Sequence, residues 1–101
     1  MIQPGEIYMA DFGLAGPHPV IVVSREELNR GRYALVVVCT SARFAVRRKL
    51  SNCVAQCENI LSLDQSQIDL VVGPIGRLDE ESLRQVIKAI GYVIKSNCTP
   101  L

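Results

Sequence analysis

The fold of this chain is decided by the stretch Gly16-Pro17-His18-Pro19-Val20-Ile21-Val22-Val23-Ser24. The apolar, β-branched run Val20–Val23 is typical of a strand that is buried on both faces. Proline restricts its own backbone and that of the preceding residue to extended geometry, so His18 is predicted at a stiff corner leading into this strand. A titratable ring at such a strand entrance is a candidate chemical site, and an exposed corner residue without chemistry is the alternative.

Length and composition limit the class of protein. With 101 residues and 49% hydrophobic residues, the chain is expected to fold as a single domain over residues 1–101. Four cysteines form no C-x-x-C pair, and one histidine cannot complete a zinc-finger site, so neither a metal nor another cofactor is expected. No leader sequence and no membrane-spanning run is visible. We therefore expect a cytoplasmic protein with reduced cysteines and no membrane contact.

Charge is distributed unevenly although the formal net charge is only +1. Seven basic residues and two acidic ones lie between Arg25 and Lys49, whereas one basic and six acidic residues lie between Leu50 and Glu81. A one-sided positive field suits an anionic partner such as nucleic acid. The alternative is an ordinary solvated loop.

Further strands are predicted on both sides of the opening stretch. Glu6–Phe12 is predicted as the strand before it, and the nearly apolar segment Tyr33–Thr40 as the strand after it. Between them, Arg25–Asn29 is predicted as one helical turn capped by Ser24. The other predicted segments are a loop at Asp11–Pro19, a loop or sheet edge at Arg43–Lys49, a strand at Cys53–Ile60 with Leu61–Asp64 as its continuation or partner, and a short strand at Leu70–Gly73.

The last part of the chain has helical periodicity. Asp79 is predicted to cap a helix in which apolar residues recur at spacings of three and four, namely Leu83, Val86, Ile87, Ile90 and Ile94. Closely spaced strands followed by one helix predict a mainly β protein with a C-terminal helix. The strands are expected to form a small, curved antiparallel sheet or barrel that the helix covers.

Familiar enzyme motifs such as the P-loop, G-x-G-x-x-G and G-x-S-x-G are missing from the sequence. Two apolar strands nevertheless have polar groups at one end: His18 precedes the first, and Thr40-Ser41 ends the second. If these strands pair antiparallel, the three residues meet at one rim, near the cations of Arg43–Lys49. An imidazole, hydroxyl groups and guanidinium groups are the components of metal-free RNA cleavage. A simple strand-ending turn at Thr40-Ser41 is the alternative.

Five segments follow one another in an order that is typical of a known family. They are Pro4-Gly5-Glu6-Ile7-Tyr8, similar to G-[ED]-[IV]-[WY]; His18–Ser24, similar to R-P-V-[VL]-[VI]-[VI]-S; Val36–Ser41, similar to V-x-x-x-T-S; Val54–Asp64, similar to V-x-x-[CE]-[DE]-[QN]-[IL]-x-[TS]-[VI]-D; and Ile75–Leu83, similar to I-G-x-L-x-x-E-x-[LM]. Together they resemble the PemK/MazF family, the ribonuclease toxins of type II toxin–antitoxin modules. The resemblance covers nearly the whole chain.

This resemblance implies an SH3-like small barrel of the MazF/CcdB type, usually a homodimer. It also implies metal-independent, sequence-selective cleavage of single-stranded RNA (mRNA), inhibited by a cognate antitoxin protein. Residue by residue, the catalytic positions fall on His18, Thr40 and Glu58. The expected RNA-binding positions are Ser41, Arg43, Arg47, Arg48, Gln56 and Asn59.

Two positions depart from the family pattern. His18 stands where the family has a catalytic arginine, and Gln56 stands where some members have a second arginine. Arginine is always charged and grips phosphate with two parallel hydrogen bonds, whereas histidine is suited to proton transfer near neutral pH. We expect weaker phosphate stabilisation and reduced activity, with His18 as a general acid or base.

Two other functions are compatible with the same scaffold. The first is a catalytically inactive module that binds nucleic acid or regulates through a partner, which the departures at His18 and Gln56 favour. The second is a gyrase-directed toxin. That activity depends on a C-terminal tryptophan in the related toxins, and this chain has no tryptophan, so it is the least favoured.

Overall fold

The computed structural model describes residues 2–40, 48–50 and 53–94, with residues 40, 48–50 and 53–56 described as backbone only. Two 3₁₀ turns, Gly13–Ala15 and Gln65–Gln67, interrupt the regular elements. In chain order, those elements are β1 (Glu6–Asp11), β2 (Pro17–Val22), α1 (Glu26–Asn29), β3 (Tyr33–Thr40), β4 (Arg48–Leu50), β5 (Cys53–Asp64), β6 (Gly76–Arg77) and α2 (Glu80–Val93).

The strands form one antiparallel sheet in the order β4-β5-β3-β2-β1-β6. After β5 the chain returns to β1, where Ile68 bridges Ala10 and the Asp69 N–H donates to the Met9 carbonyl oxygen at 2.9 Å. Over the described residues the sheet stays open, with β4 and β6 at its edges. The prediction of a mainly β fold with a C-terminal helix is confirmed.

Both faces of the central strands are buried, as the β-branched run predicts. One face holds a cluster that includes Tyr8, Val20, Val36 and Ile68. The opposite face packs against α2 through a second cluster of Ile21, Val37, Cys39, Cys57 and Val86. Alternate residues of β2 and β3 therefore enter different clusters, and this alternation fixes their register.

β2 begins earlier than predicted, at Pro17 rather than Val20, so His18 lies inside the strand and not in a loop. The prolines are tolerated in β2 because their backbone nitrogens face β3 and not β1, the strand with which both residues pair. The Val23 N–H donates to Leu35 on β3, and by alternation the nitrogens of Pro17 and Pro19 face the same side. The described β2–β3 ladder covers Val20–Val22 alone, so neither proline removes a ladder hydrogen bond.

Ser24 does not cap α1, contrary to the prediction; Arg25 occupies the cap position and makes no side-chain capping bond. The buried Ser24 hydroxyl instead donates to Asn29 Oδ1 and accepts the Leu35 N–H at 3.0 Å. Asn29 Nδ2 donates to the carbonyl oxygens of Ser24 (2.9 Å) and Ile2 (3.2 Å). This network ties the N-terminus and α1 to the start of β3.

Asn29→Ala is expected to lower the free energy of unfolding by about 1–3 kcal/mol, because buried polar groups of Ser24 and Ile2 lose their partner. Urea denaturation of the purified protein measures the change. Glu27→Ala, an exposed position in the same helix, is the control and should change stability by less than about 0.5 kcal/mol. Equal stability of the two variants would contradict a stabilising role for the network.

The predicted strand at Leu70–Gly73 is wrong, because residues 70–72 form a turn. The Asp69 carboxylate accepts the N–H groups of Val71 (3.1 Å) and Val72 (3.0 Å), and Gly73 has a φ of +82°, a conformation that favours glycine. Local side-chain hydrogen bonds here outweigh the strand propensity of the apolar residues. The described partner of β1 on this side is β6, which was not predicted.

Helix α2 confirms the predicted cap, since Asp79 accepts the Ser82 N–H at 2.7 Å. Val86 is buried against the sheet, with Ile90 packed beside it. Ile87 and Ile94 were predicted in the same apolar stripe, but both are exposed. No described helix has the length and apolar character needed to cross a membrane.

Candidate active site at the adjoining ends of β2 and β3

His18 is half-buried at the second residue of β2, opposite Ala10 of β1. Its Nε2 atom lies 3.1 Å from the carbonyl oxygen of Ala15 in the preceding 3₁₀ turn. Its ring meets the Phe12 ring edge-on, with 5.7 Å between the ring centroids. The short loop between β1 and β2 therefore holds the imidazole on two sides.

The contact with Ala15 assigns roles to the two ring nitrogens of His18. A carbonyl oxygen can only accept a hydrogen bond, so Nε2 carries the hydrogen and donates it. In the neutral ring, Nδ1 is then the atom with a lone pair and can take up a proton. The imidazole is thus arranged to exchange a proton through Nδ1.

Thr40 is the last residue of β3, and its backbone pairs with Val54 of β5. Val20 of β2 pairs with Val38 of β3. His18 lies two residues before Val20, and Thr40 lies two residues after Val38, so both residues are at the same end of this antiparallel pair. The sheet topology thus brings together the strand ends that carry these two sequence-predicted residues.

Glu58 and Asn59 lie in an irregular part of β5. Val37 pairs with Ile60 and Cys39 pairs with Ala55, so two steps along β3 correspond to five steps along β5. A bulge of this kind redirects side chains out of the regular alternation and is common near functional sites. Glu58 is exposed, and Asn59 is half-buried.

Of the remaining predicted RNA-binding positions, two are described as backbone and three lie outside the described residues. Arg48 lies on the edge strand β4, where its backbone pairs with Ala55, and Gln56 is a backbone position of β5 next to the bulge. Neither side chain is among those described. Three further positions, Ser41, Arg43 and Arg47, lie outside the described residues.

Two arginines of the positively charged segment have described side chains that form ion pairs with carboxylates. Arg30 pairs with Glu26 at 3.6 Å, and Arg32 pairs with Asp64 at 2.8 Å, at the end of β3 opposite to Thr40. The Ser66 N–H and the Arg32 guanidinium hold the pKa of Asp64 below its ordinary value. These arginines are therefore separated from His18 by about the length of β3, roughly 24 Å for eight strand residues.

Among the described residues, no group of three or more histidine, cysteine, aspartate and glutamate residues is placed to hold a metal ion. The candidate site offers proton transfer and hydrogen bonding through His18 and its neighbours.

Two supporting residues were not singled out in the sequence. Phe12 and Ala15 hold the His18 ring. Phe12 could have been identified from the sequence pattern, because residues 8, 10 and 12 of a strand share one face. In the structure, Phe12 packs on the cluster of Tyr8 and Ala10. The Ala15 carbonyl could not have been identified from the sequence, because the position of a backbone acceptor depends on the loop conformation and not on the residue type.

A family model described as a PemK-like, MazF-like toxin of type II toxin–antitoxin systems matches residues 3–94. The comparison with curated proteins found no match.

Several solved structures have the same fold. An endoribonuclease in complex with its cognate antitoxin from mycobacterial species superimposes with a TM-score of 0.82 at 19% identity, covering 95% of this chain and 97% of that one. The MazE–MazF structure (Form-III) from Deinococcus radiodurans gives 0.79 at 17% identity, covering 91% and 94%. The Mycobacterium tuberculosis toxin MazF-mt6 gives 0.74 at 18% identity, covering 87% and 94%.

At these identities the solved structures establish the fold, whereas the family model spans nearly the whole chain. The fold and the ordered segments of the sequence agree with that model. This chain belongs to the PemK-like, MazF-like toxin family of type II toxin–antitoxin systems, whose members include endoribonucleases.

Proposed function

We propose that this protein is a toxin that cleaves single-stranded RNA at selected sequences in the cytoplasm, without a metal ion. The observation that carries the proposal is the arrangement of His18. The Ala15 carbonyl and the Phe12 ring hold its imidazole with Nδ1 as the proton acceptor. It occupies the position at which the family has its catalytic arginine.

In the proposed reaction, His18 Nδ1 takes the proton from the 2′-hydroxyl group at the cleavage site. The 2′-oxygen attacks the adjacent phosphorus atom, and the bond from phosphorus to the 5′-oxygen breaks. The 5′-oxygen leaves with a proton from water. The products are a 2′,3′-cyclic phosphate and a free 5′-hydroxyl end.

Other residues of the site are assigned by the family resemblance and supported by topology. We place Thr40 beside the reacting phosphate, where its hydroxyl would donate a hydrogen bond to a phosphate oxygen. Glu58, in the exposed bulge of β5, is the third catalytic position. The RNA-binding positions are Ser41, Arg43, Arg47, Arg48, Gln56 and Asn59.

Two protein partners belong to the same proposal. The first is a cognate antitoxin, supported by the solved complexes of structurally similar toxins. Its expected chemistry is an acidic, disordered segment that crosses the cationic rim and blocks the site. The second is another copy of this chain in a homodimer. Exposed apolar side chains on and just after α2, including Ile87, Tyr92 and Ile94, support an interface that uses this helix.

A catalytically inactive RNA-binding module is the second candidate, and one observation favours it. His18 Nε2 already contacts Ala15, which leaves one ring nitrogen for substrate, whereas an arginine offers five N–H donors. Phosphate stabilisation is weaker for this reason. In that case the protein would bind RNA with a salt-sensitive affinity and would not cleave it.

The deciding experiment is a cleavage assay of purified protein on a defined single-stranded RNA in the presence of EDTA. We expect cleavage in EDTA, because no metal takes part in the proposed step. The products should end in 2′,3′-cyclic phosphate, identified by mass spectrometry, because the 2′-oxygen attacks the phosphorus atom. The His18→Arg variant is assayed beside the wild type, since it restores the family's residue and its grip on phosphate.

The results separate the two candidates. Cleavage by the wild type supports the endoribonuclease. Cleavage by His18→Arg alone shows that the wild type is inactive and supports the inactive module. RNA binding without cleavage by both proteins supports the inactive module. If neither protein cleaves or binds RNA, both candidate functions are wrong.

A further inference from the structure

A cavity of about 430 Å³ lies at the same end of the sheet as His18, on the edge formed by β1. Its walls come from β1, from the first residue of β2 and from the segment at residues 66–69 that follows β5. Its lining residues include the apolar Met9, Pro17 and Ile68 and the acidic Asp11 and Asp69. A site of this size with apolar walls and a few polar groups is typical of small-ligand binding.

Each carboxylate in this cavity is held through one of its oxygen atoms. Asp11 Oδ1 accepts the Gly13 N–H at 2.8 Å. Asp69 Oδ1 accepts the N–H groups of Val71 and Val72. Within the described part of the chain, no hydrogen bond engages the second oxygen of either group. Both side chains are therefore fixed in position while one acceptor atom of each remains for a ligand.

The cavity is next to the candidate active site. Its wall residue Pro17 immediately precedes His18, and consecutive Cα atoms are about 3.8 Å apart. Successive side chains of a strand point to opposite faces, so Pro17 and its cross-strand neighbour Asp11 lie on the face opposite to His18, and RNA reaches the cavity around the end of β2. An RNA chain that bends over the first residues of β2 can place a phosphate at His18 and the neighbouring base in the cavity.

The charge of the lining limits which part of the RNA enters. Two carboxylates repel phosphate groups and accept hydrogen bonds, so they suit a donor-rich base edge. Guanine presents two adjacent donors, N1–H and the N2 amino group, whereas uracil places N3–H between two carbonyl oxygens. Single-stranded RNA can turn a base out and expose this edge.

We propose that this cavity binds one base of the RNA next to the cleaved phosphate and selects guanine through Asp11 and Asp69. The proposal rests on the proposed function, because it presupposes RNA at His18. It makes the two aspartates specificity-determining residues that take no part in the chemical step.

The test uses substitutions that keep the local structure. Asn at position 69 retains the oxygen that caps the turn at residues 70–72 and replaces the other oxygen by an amino group, a donor. Asp11→Asn does the same for the bond to Gly13. Glu27→Gln removes an equal charge at an exposed position of α1 and is the control for general electrostatic attraction.

Base preference is read from a randomised single-stranded RNA library in two ways. Wild-type protein and the variants are used for cleavage, with sequencing of the product ends. His18→Ala, alone and combined with Asp69→Asn or Glu27→Gln, is used for selection of bound RNA. We expect guanine at one fixed position, and a fall of this preference by about tenfold with Asp69→Asn or Asp11→Asn. Glu27→Gln should leave it unchanged.

The two arms distinguish the possible failures. If no RNA is cleaved but bound RNA shows a guanine preference that Asp69→Asn removes, the endoribonuclease is wrong and the base pocket stands. If RNA is cleaved and both aspartate variants keep the wild-type preference, the base pocket is wrong and the endoribonuclease stands. An unselective bound library combined with unselective cleavage also overturns the base pocket.

Discussion

Replacing His18 by alanine is expected to lower the rate of RNA cleavage by about 10²–10⁴-fold, the usual contribution of a positioned general base. The variant loses the Nδ1 proton acceptor that the contact with Ala15 orients. Single-turnover cleavage of a labelled single-stranded RNA measures the rate, and a thermal melt of the same sample shows whether the fold is retained.

The matched variant is His18→Gln, because a glutamine amide can donate to the Ala15 carbonyl but cannot take up a proton at neutral pH. We expect it to be as inactive as His18→Ala. Thr40→Ala should abolish the remaining activity, since it removes the hydroxyl assigned to the phosphate. Cleavage at the wild-type rate by His18→Gln would contradict proton transfer, and full activity of Thr40→Ala would mean that the site is placed wrongly.

Ile21→Ala is expected to lower the free energy of unfolding by about 2–5 kcal/mol, the range for truncating a large buried side chain. Ile21 is 0% exposed and lies in the cluster that joins β2 and β3 to α2 through Val37 and Val86. Truncation leaves a cavity between the sheet and the helix that this rigid strand cannot collapse to fill. Urea denaturation, fitted with a two-state model, measures the loss.

The matched control is Leu14→Ala in the loop before β2, where the leucine side chain is fully exposed. It should change stability by less than about 0.5 kcal/mol. A loss of less than about 1 kcal/mol for Ile21→Ala would contradict the view that the cluster under α2 holds the helix to the sheet.

The strands that have the strongest patterns were predicted well from the sequence. β3 was predicted with the bounds that the structure has, Tyr33–Thr40, and the cap of α2 at Asp79 was also correct. Both depend on local chemistry: a long β-branched run strongly favours a strand, and an aspartate before two glutamates favours a helix start. The catalytic roles of His18 and Thr40 stay predictions, because the structure gives the positions of these residues in β2 and β3 and not their chemistry.

The predictions that failed depend on which partner a polar group finds in three dimensions. Ser24 was predicted to cap α1, yet its hydroxyl bonds Asn29 and the β3 backbone. Leu70–Gly73 has the composition of a strand, but Asp69 folds it into a turn. Local propensity does not distinguish these outcomes, since each alternative satisfies similar hydrogen bonds.

Local sequence patterns were sufficient to predict a mainly β domain with a C-terminal helix, and the ordered segments pointed to the family. The stretch around His18 predicted a strand because β-branched residues and prolines restrict the backbone wherever they occur. The folded molecule was needed to show how His18 is held, where β5 bulges at Glu58, and that Asp11 and Asp69 line one cavity beside Pro17. These features join residues far apart in the chain or depend on backbone carbonyl positions, which the pairing of β1, β2, β3 and β5 creates.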